Sequence, residues 1–179
     1  MVEFKPVVFK LDKELYGLDI NRVRGIEKEQ EVVRVPNTAS YIKGIMNLRG
    51  DVIPVYSLRK KFGMPEAATD DIQYIIVYTN GTLLALEVDN VDEIHNKEDN
   101  DIHIVPSIVT NADTRYFDKV LKTSRGLIIT IDIDKLLSDD EMSQIEQMKG
   151  LAEAFYISVV RKLTVGYKFF YSVDRLKSL

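Results

Sequence analysis

The 179 residues are 45% hydrophobic and 29% charged, which is the balance of a globular chain of one ordinary domain or two small ones and excludes global disorder. The lack of cysteine excludes a disulfide framework, a thiol nucleophile and any thiolate metal site. Net charge is −4, split between a +3 stretch at 151–179 and a −7 body, and an acidic body argues against a general nucleic-acid role, which needs clustered cations.

Residues 1–10 lack the basic segment followed by about 7 to 15 apolar residues that marks a secretory signal. No apolar run approaches the roughly 18 residues needed to span a bilayer, so the expected location is the cytoplasm, without direct membrane insertion. Val and Ile recur in short runs bounded by Gly, Pro, Asn and Asp, which predicts many short strands and an all-β class. The first of these runs lies at the start of a repeat. Residues 8–26 (VFKLDKELYGLDINRVRGI) match residues 76–94 (IVYTNGTLLALEVDNVDEI) without a gap at an offset of 68, apolar on apolar and acid largely on acid. Further on, Val35-Pro36 meets Val105-Pro106 at an offset of 70, and Arg49-Gly50 meets Arg125-Gly126 at 76. Offsets that drift slowly upward are what different loop lengths in two copies of one unit produce, and the period is too long for a solenoid.

Each copy has the same order: a strand, a tight turn, an alternating strand, a loop, and an Arg-Gly that launches a further strand. Leu18 and Ile20, like Leu86 and Val88, alternate with polar residues as strands with one buried face do. The runs 52–55 and 127–131 are denser and predict central strands covered on both sides. Thr79-Asn80-Gly81-Thr82 predicts a two-residue hairpin turn, since Asn and Gly accept positive φ. A small barrel per copy closes such sheets and removes their edges. Helices are expected to be short: residues 57–63, capped by Ser57 and ended by Gly63, and a C-terminal helix opened by the Ser138/Glu141 capping box, striped by Met142, Ile145 and Met148, and ended at Gly150.

Chemistry is sparse. The nine glycines build no phosphate loop. His95 and His103 lie in an acidic stretch with Asp92, Glu93, Glu98, Asp99 and Asp101, but without the Gly turn and final Glu of a calcium loop. Asp132 and Asp134 at i, i+2 are expected on one face of a strand, with no neighbouring His to make them an acid–base pair. No cofactor, metal or catalytic residue is expected. Arg49, placed just before a buried strand, is not explained by folding: a guanidinium there can cap carbonyls, pair with a carboxylate, or face a partner.

At this segment the sequence resembles the CheW family of bacterial chemotaxis coupling proteins. The residues that carry the resemblance are Lys43-Gly44-Ile45-Met46-Asn47-Leu48-Arg49-Gly50 followed by Val52-Ile53-Pro54-Val55, with further matches from about Phe4 to Met142. The resemblance implies two SH3-like five-stranded β barrels within residues 1–150, intertwined and at roughly 8–65 and 76–136, and an atypical extension at 151–179. It implies an adaptor without enzymatic activity, with two partners: the regulatory domain of the histidine kinase CheA and the cytoplasmic tip of methyl-accepting chemotaxis receptors, in arrays at the inner membrane. The receptor-facing groove would use Val7, Ile20, Val23 and Ile26, and coupling would be sensitive at Gly44, Arg49 and Gly50. Gly25 departs from the Glu that many members carry, so a charged contact is either missing or supplied elsewhere. The 151–179 extension is expected to pack on the body or to be partly disordered, with membrane-surface contact, suggested by aromatics interleaved with cations, as the alternative. A small-ligand or nucleic-acid-binding barrel is the competing reading.

Overall fold

The computed structural model describes residues 5–28, 30–67, 71–92, 101–105 and 114–154. The described chain is mostly strand. In order these are β1 (Pro6–Leu11), β2 (Glu14–Asp19), β3 (Val23–Lys28), β4 (Val32–Val33), β5 (Ile42–Leu48), β6 (Asp51–Ser57), β7 (Gln73–Thr79), β8 (Thr82–Val88), β9 (Asn90–Val91), β10 (Asp101–Ile104), β11 (Phe117–Thr123) and β12 (Gly126–Ile131). A 3-10 turn covers Ile20–Arg22, α1 covers Leu58–Lys61 and α2 covers Ile133–Leu136. A longer helix, α3, runs from 139 to 154.

The strands form two sheets with the same order, β10-β11-β12-β2-β1-β9 and β4-β5-β6-β8-β7-β3. Each has six strands where five were expected, because the two-residue segments β4 and β9 pair at an edge. The repeat is visible in the registers. Val7 faces Leu18 as Ile75 faces Leu86, and Val91 faces Phe9 as Val23 faces Val77, all related by the offset of 68. Val33 faces Ile45 as His103 faces Val120. Leu48 faces Asp51 as Thr123 faces Gly126, a shift of 75, so the structural partner of Arg49 is Ser124, one residue off the Arg-Gly match in sequence.

Each sheet is built by exchange. The hairpin β1–β2 lies beside β12, with Ile131 opposite Leu18, while the hairpin β7–β8 lies beside β6, with Tyr56 opposite Leu86; both contacts are parallel. Parallel neighbours cannot be joined by a tight turn, so the pairing must come from distant parts of the chain.

Two faces follow from this arrangement. Met46, Ile53, Val55, Tyr74, Ile76 and Ala85 form a buried cluster contributed only by one sheet, and Val8, Leu121 and Ile128 form its counterpart in the other. Side chains on one sheet face are buried without a second layer only if the sheet curls over them, which is the barrel habit. Gly17 stands where the first sheet has Ala85, and a Cβ there would come within 3.2 Å of Pro6 Cβ and 3.3 Å of Ile128 Cγ2. The opposite faces meet each other. Phe9, Leu11, Tyr16 and Leu18 pack with Tyr56, Ile75, Val77, Leu84 and Leu86 in one cluster that joins both sheets. Leu127 departs from the expected covered strand: at 61% exposed it lies at the open end of β12.

The helices seal the joint. Ser57 precedes α1 but its side chain makes no capping bond; it is buried instead, as the last residue of β6. The capping box of α3 forms as the sequence predicts, with Ser138 N–H donating to Glu141 Oε2 (2.5 Å) and Glu141 N–H donating to Ser138 Oγ (3.3 Å). The helix passes through Gly150 to 154, since Gly150 is not left-handed and Leu151, Ala152, Glu153 and Ala154 are good helix formers. Ile145 and Met148 of α3 enter the shared core. Glu141, 3% exposed, accepts from Lys61 Nζ (2.6 Å) and Tyr56 Oη (3.1 Å). Burial pushes its carboxyl up, but Lys61, the Ser138 N–H and Tyr41 outweigh that and hold it below its usual value. A depressed carboxylate contributes stability above its unfolded pKa and loses it as pH falls through the folded value. Glu141→Gln is therefore expected to cost about 3 kcal/mol at pH 7, because it strands Lys61, and the gap to wild type should shrink below about pH 4 in urea titrations followed by circular dichroism.

Candidate functional site

The edge strand β3 carries the features of a contact surface. It pairs with β7 on one side, and a bulge between Val23 and Gly25 inserts one residue in its ladder. In a regular strand residues three apart point to opposite faces; the extra residue puts Val23 and Ile26 on the same one. That is the face of Val77 and Ile75, the face the two sheets turn toward each other. Val23 is half-buried against the shared core, while Ile26 is 44% exposed, at the point where the inter-sheet face opens to solvent. Ile20, half-buried on the preceding 3-10 turn, donates its N–H to Lys5 O (3.0 Å). Val7, opposite Leu18, is buried. Of the four expected groove residues, Ile20, Val23 and Ile26 keep some exposed surface and Val7 keeps almost none.

Gly44 belongs to the frame. It sits at a bulge in β5 with φ 152°, and a Cβ there would lie 2.1 Å from Val33 O and 2.7 Å from Val33 C. Only glycine lets β4 approach β5 this closely.

Arg49 and Gly50 form the two-residue turn between β5 and β6, both with positive φ (54° and 97°), and Gly50 N–H donates to Asn47 Oδ1 (2.9 Å). This is the turn that favours Asn-Gly, and another hairpin of the same chain, β7–β8, does use Asn80-Gly81 (47° and 81°). An arginine in that place is strained, by about 1 to 2 kcal/mol for an L-residue in the left-handed region. Its side chain is 84% exposed and, among the described residues, its guanidinium meets Glu27 Oε1 at 3.4 Å. Glu27 lies on β3 opposite Tyr74, on the other face from Ile26, so β3 separates the charged contact from the apolar one.

The remaining candidates resolve into structural roles. Asp132 is not on a strand: β12 ends at Ile131, and Asp132 caps α2 by accepting from Asp134 N–H (3.1 Å) while pairing with Lys135 (2.9 Å). Asp134 pairs with Arg22 and accepts from Thr79 Oγ1 (3.0 Å). His103 is exposed on the edge strand β10, and His95 falls outside the described residues, as does the extension beyond 154. Among the described residues no three His, Asp or Glu side chains are grouped to hold a metal ion. What the sequence did not signal is a second clasp: Arg59, half-buried on α1, forms paired hydrogen bonds to Asp89, which also accepts from Asp12 N–H (2.6 Å).

Residues 5–141 match the family model described as a CheW-like domain. A chemotaxis protein CheW of Klebsiella aerogenes is 32% identical over 143 residues, covering 79% of this chain and 86% of its own. One of Bacillus subtilis is 32% identical over 141 residues, covering 78% and 90%. The crystal structure of the scaffolding protein TtCheW from Thermoanaerobacter tengcongensis superposes with a TM-score of 0.69 at 38% identity, covering 77% of this chain and 94% of that one.

Two substitutions separate frame from contact. Gly44→Ala should cost about 3 kcal/mol, from backbone overlap and an unfavourable φ. Arg49→Asn should instead gain about 0.5 kcal/mol, because relief of the left-handed strain exceeds the small worth of an exposed ion pair. Urea denaturation of the two variants checks both signs.

Proposed function

The chain belongs to the CheW-like domain family, and from that premise we propose that it is a non-catalytic chemotaxis scaffold that couples the cytoplasmic tip of methyl-accepting receptors to the regulatory domain of the histidine kinase CheA. The observation that carries this reading is Arg49. A side chain kept almost wholly exposed, on a backbone conformation that costs stability, is retained for something other than folding. Beside it, Ile26 offers apolar surface at an opening between two sheets, the kind of groove that takes the apolar stripe of a helix.

Ile20, Val23 and Ile26 would receive the receptor helix, with Val7 beneath them, while Arg49 and Gly50 would act at the charged face of β3. Gly44 would affect coupling by holding β4 in place. In this reading the protein works in the cytoplasm and reaches the membrane only through its receptors. No helix among the described residues is long and apolar enough to cross a bilayer, which accords with that.

The test is a pull-down and titration of the purified chain against the regulatory domain of its kinase and a receptor cytoplasmic fragment. Ile26→Asp and Arg49→Glu should each weaken receptor-fragment binding by about tenfold or more while moving the melting temperature by no more than about 3 °C. Absence of binding to both partners at tens of micromolar contradicts the proposal. An unfolded Arg49→Glu variant would assign that residue to the fold.

A further inference from the structure

Away from β3, three cations converge on one cleft. Arg34, Lys43 and Lys60 line a space of about 330 Å³ between the loop joining β4 to β5 and helix α1, with Thr38 and Ser40 on the same wall. On a chain of net charge −4 this is a local reversal of sign.

The wall is fixed before any ligand arrives. Thr38 Oγ1 donates to Val35 O (3.1 Å), Ala39 N–H donates to Gln144 Oε1 on α3 (3.2 Å), and Asn37 holds a left-handed φ of 62°. Lys43 is anchored to Glu87 (3.0 Å), so one of its neighbours within the fold keeps its ammonium in place. Arg34 makes no ion pair among the described residues and is exposed. Lys60 meets Glu66 at 3.1 Å, and Glu66 is an exposed carboxylate on the segment that follows α1. Lys60 and then Lys43 hold the Glu66 carboxyl below its ordinary value. One cation of the cleft wall, Lys60, thus already holds a carboxylate of its own chain.

We infer that this cleft is a carboxylate-recognition site that takes an acidic segment of a protein partner, with Glu66 as the internal carboxylate that the segment displaces. Its size suits one or two acidic side chains and lies at the lower end of ligand pockets. Three cations fall well short of the roughly 6 to 10 phosphate contacts that sustain nucleic-acid binding. Arg34 supplies the two-pronged geometry that a carboxylate prefers, and the lysines supply point charge. Neither Ile26 nor Arg49 lines the cleft, and the inference goes beyond the coupling role proposed above.

The experiment uses a fluorescein-labelled peptide of six glutamates and the full chain, read by anisotropy at low salt. Glu66→Gln should tighten binding about threefold by removing the internal competitor, and Arg34→Glu should weaken it at least fivefold, with Arg34→Ala in between. Arg34 is exposed, so thermal melts of its variants should match wild type. Unchanged affinity in Arg34→Glu, or in Glu66→Gln, overturns the assignment. Full displacement of the peptide by inorganic phosphate at equal concentration also overturns it, in favour of a site for small free anions.

Discussion

The parallel contacts of β2 with β12 and of β6 with β8 are the constraint on which the rest of the molecule depends. Each places a hairpin from one half of the repeat into the sheet of the other. Neither sheet is complete without its exchanged hairpin, and the residues that make the shared core, Leu18 and Leu86 among them, sit on those hairpins. Hydrophobic burial between the sheets and ladder formation within them are therefore the same event. Duplicated units linked in tandem would fold as separate beads; here the exchange makes one cooperative body with a single seam.

The seam is also where apolar surface opens to solvent, at Ile26. Edge strands are normally blunted, and β3 is blunted by a bulge and by the Arg49–Glu27 contact. The same bulge that disturbs the ladder turns Ile26 onto the inter-sheet face. Two hairpin turns of the chain can be compared: Asn80-Gly81 has the residues its geometry favours, whereas Arg49-Gly50 has a similar geometry without the preferred first residue.

Much of this was legible in the sequence. The gapless match at an offset of 68 corresponds to true register pairs, because within a hairpin the apolar alternation is fixed by which face is buried. Asn80-Gly81 and the Ser138/Glu141 box are local signals whose physics is complete within a few residues, and both formed as read. The exchange of hairpins was not legible, since nothing in a strand states which distant strand lies beside it. The Arg-Gly match misled by one position for the same reason: Gly126 begins a strand while Gly50 sits in a turn. Asp132 was read as strand because its neighbours alternate, yet a carboxylate just after Ile131 served better as a helix cap. The bulge at Val23 and the crowding at Gly44 depend on how close two strands come, which a single sequence does not record. Arg59 and Asp89, thirty residues apart in number, meet only once β8 has been laid beside β6.

The most direct test of this account is native-state hydrogen exchange of the amides in the two parallel contacts, around Tyr16 and Leu18 on β2 and around Ala85 and Leu86 on β8, as a function of urea. Reciprocal exchange of hairpins predicts that both sets open with one common free energy and one denaturant dependence, equal to those of global unfolding. Two separate isotherms, with one sheet losing protection while the other keeps it, would show that each sheet stands alone and would contradict the account.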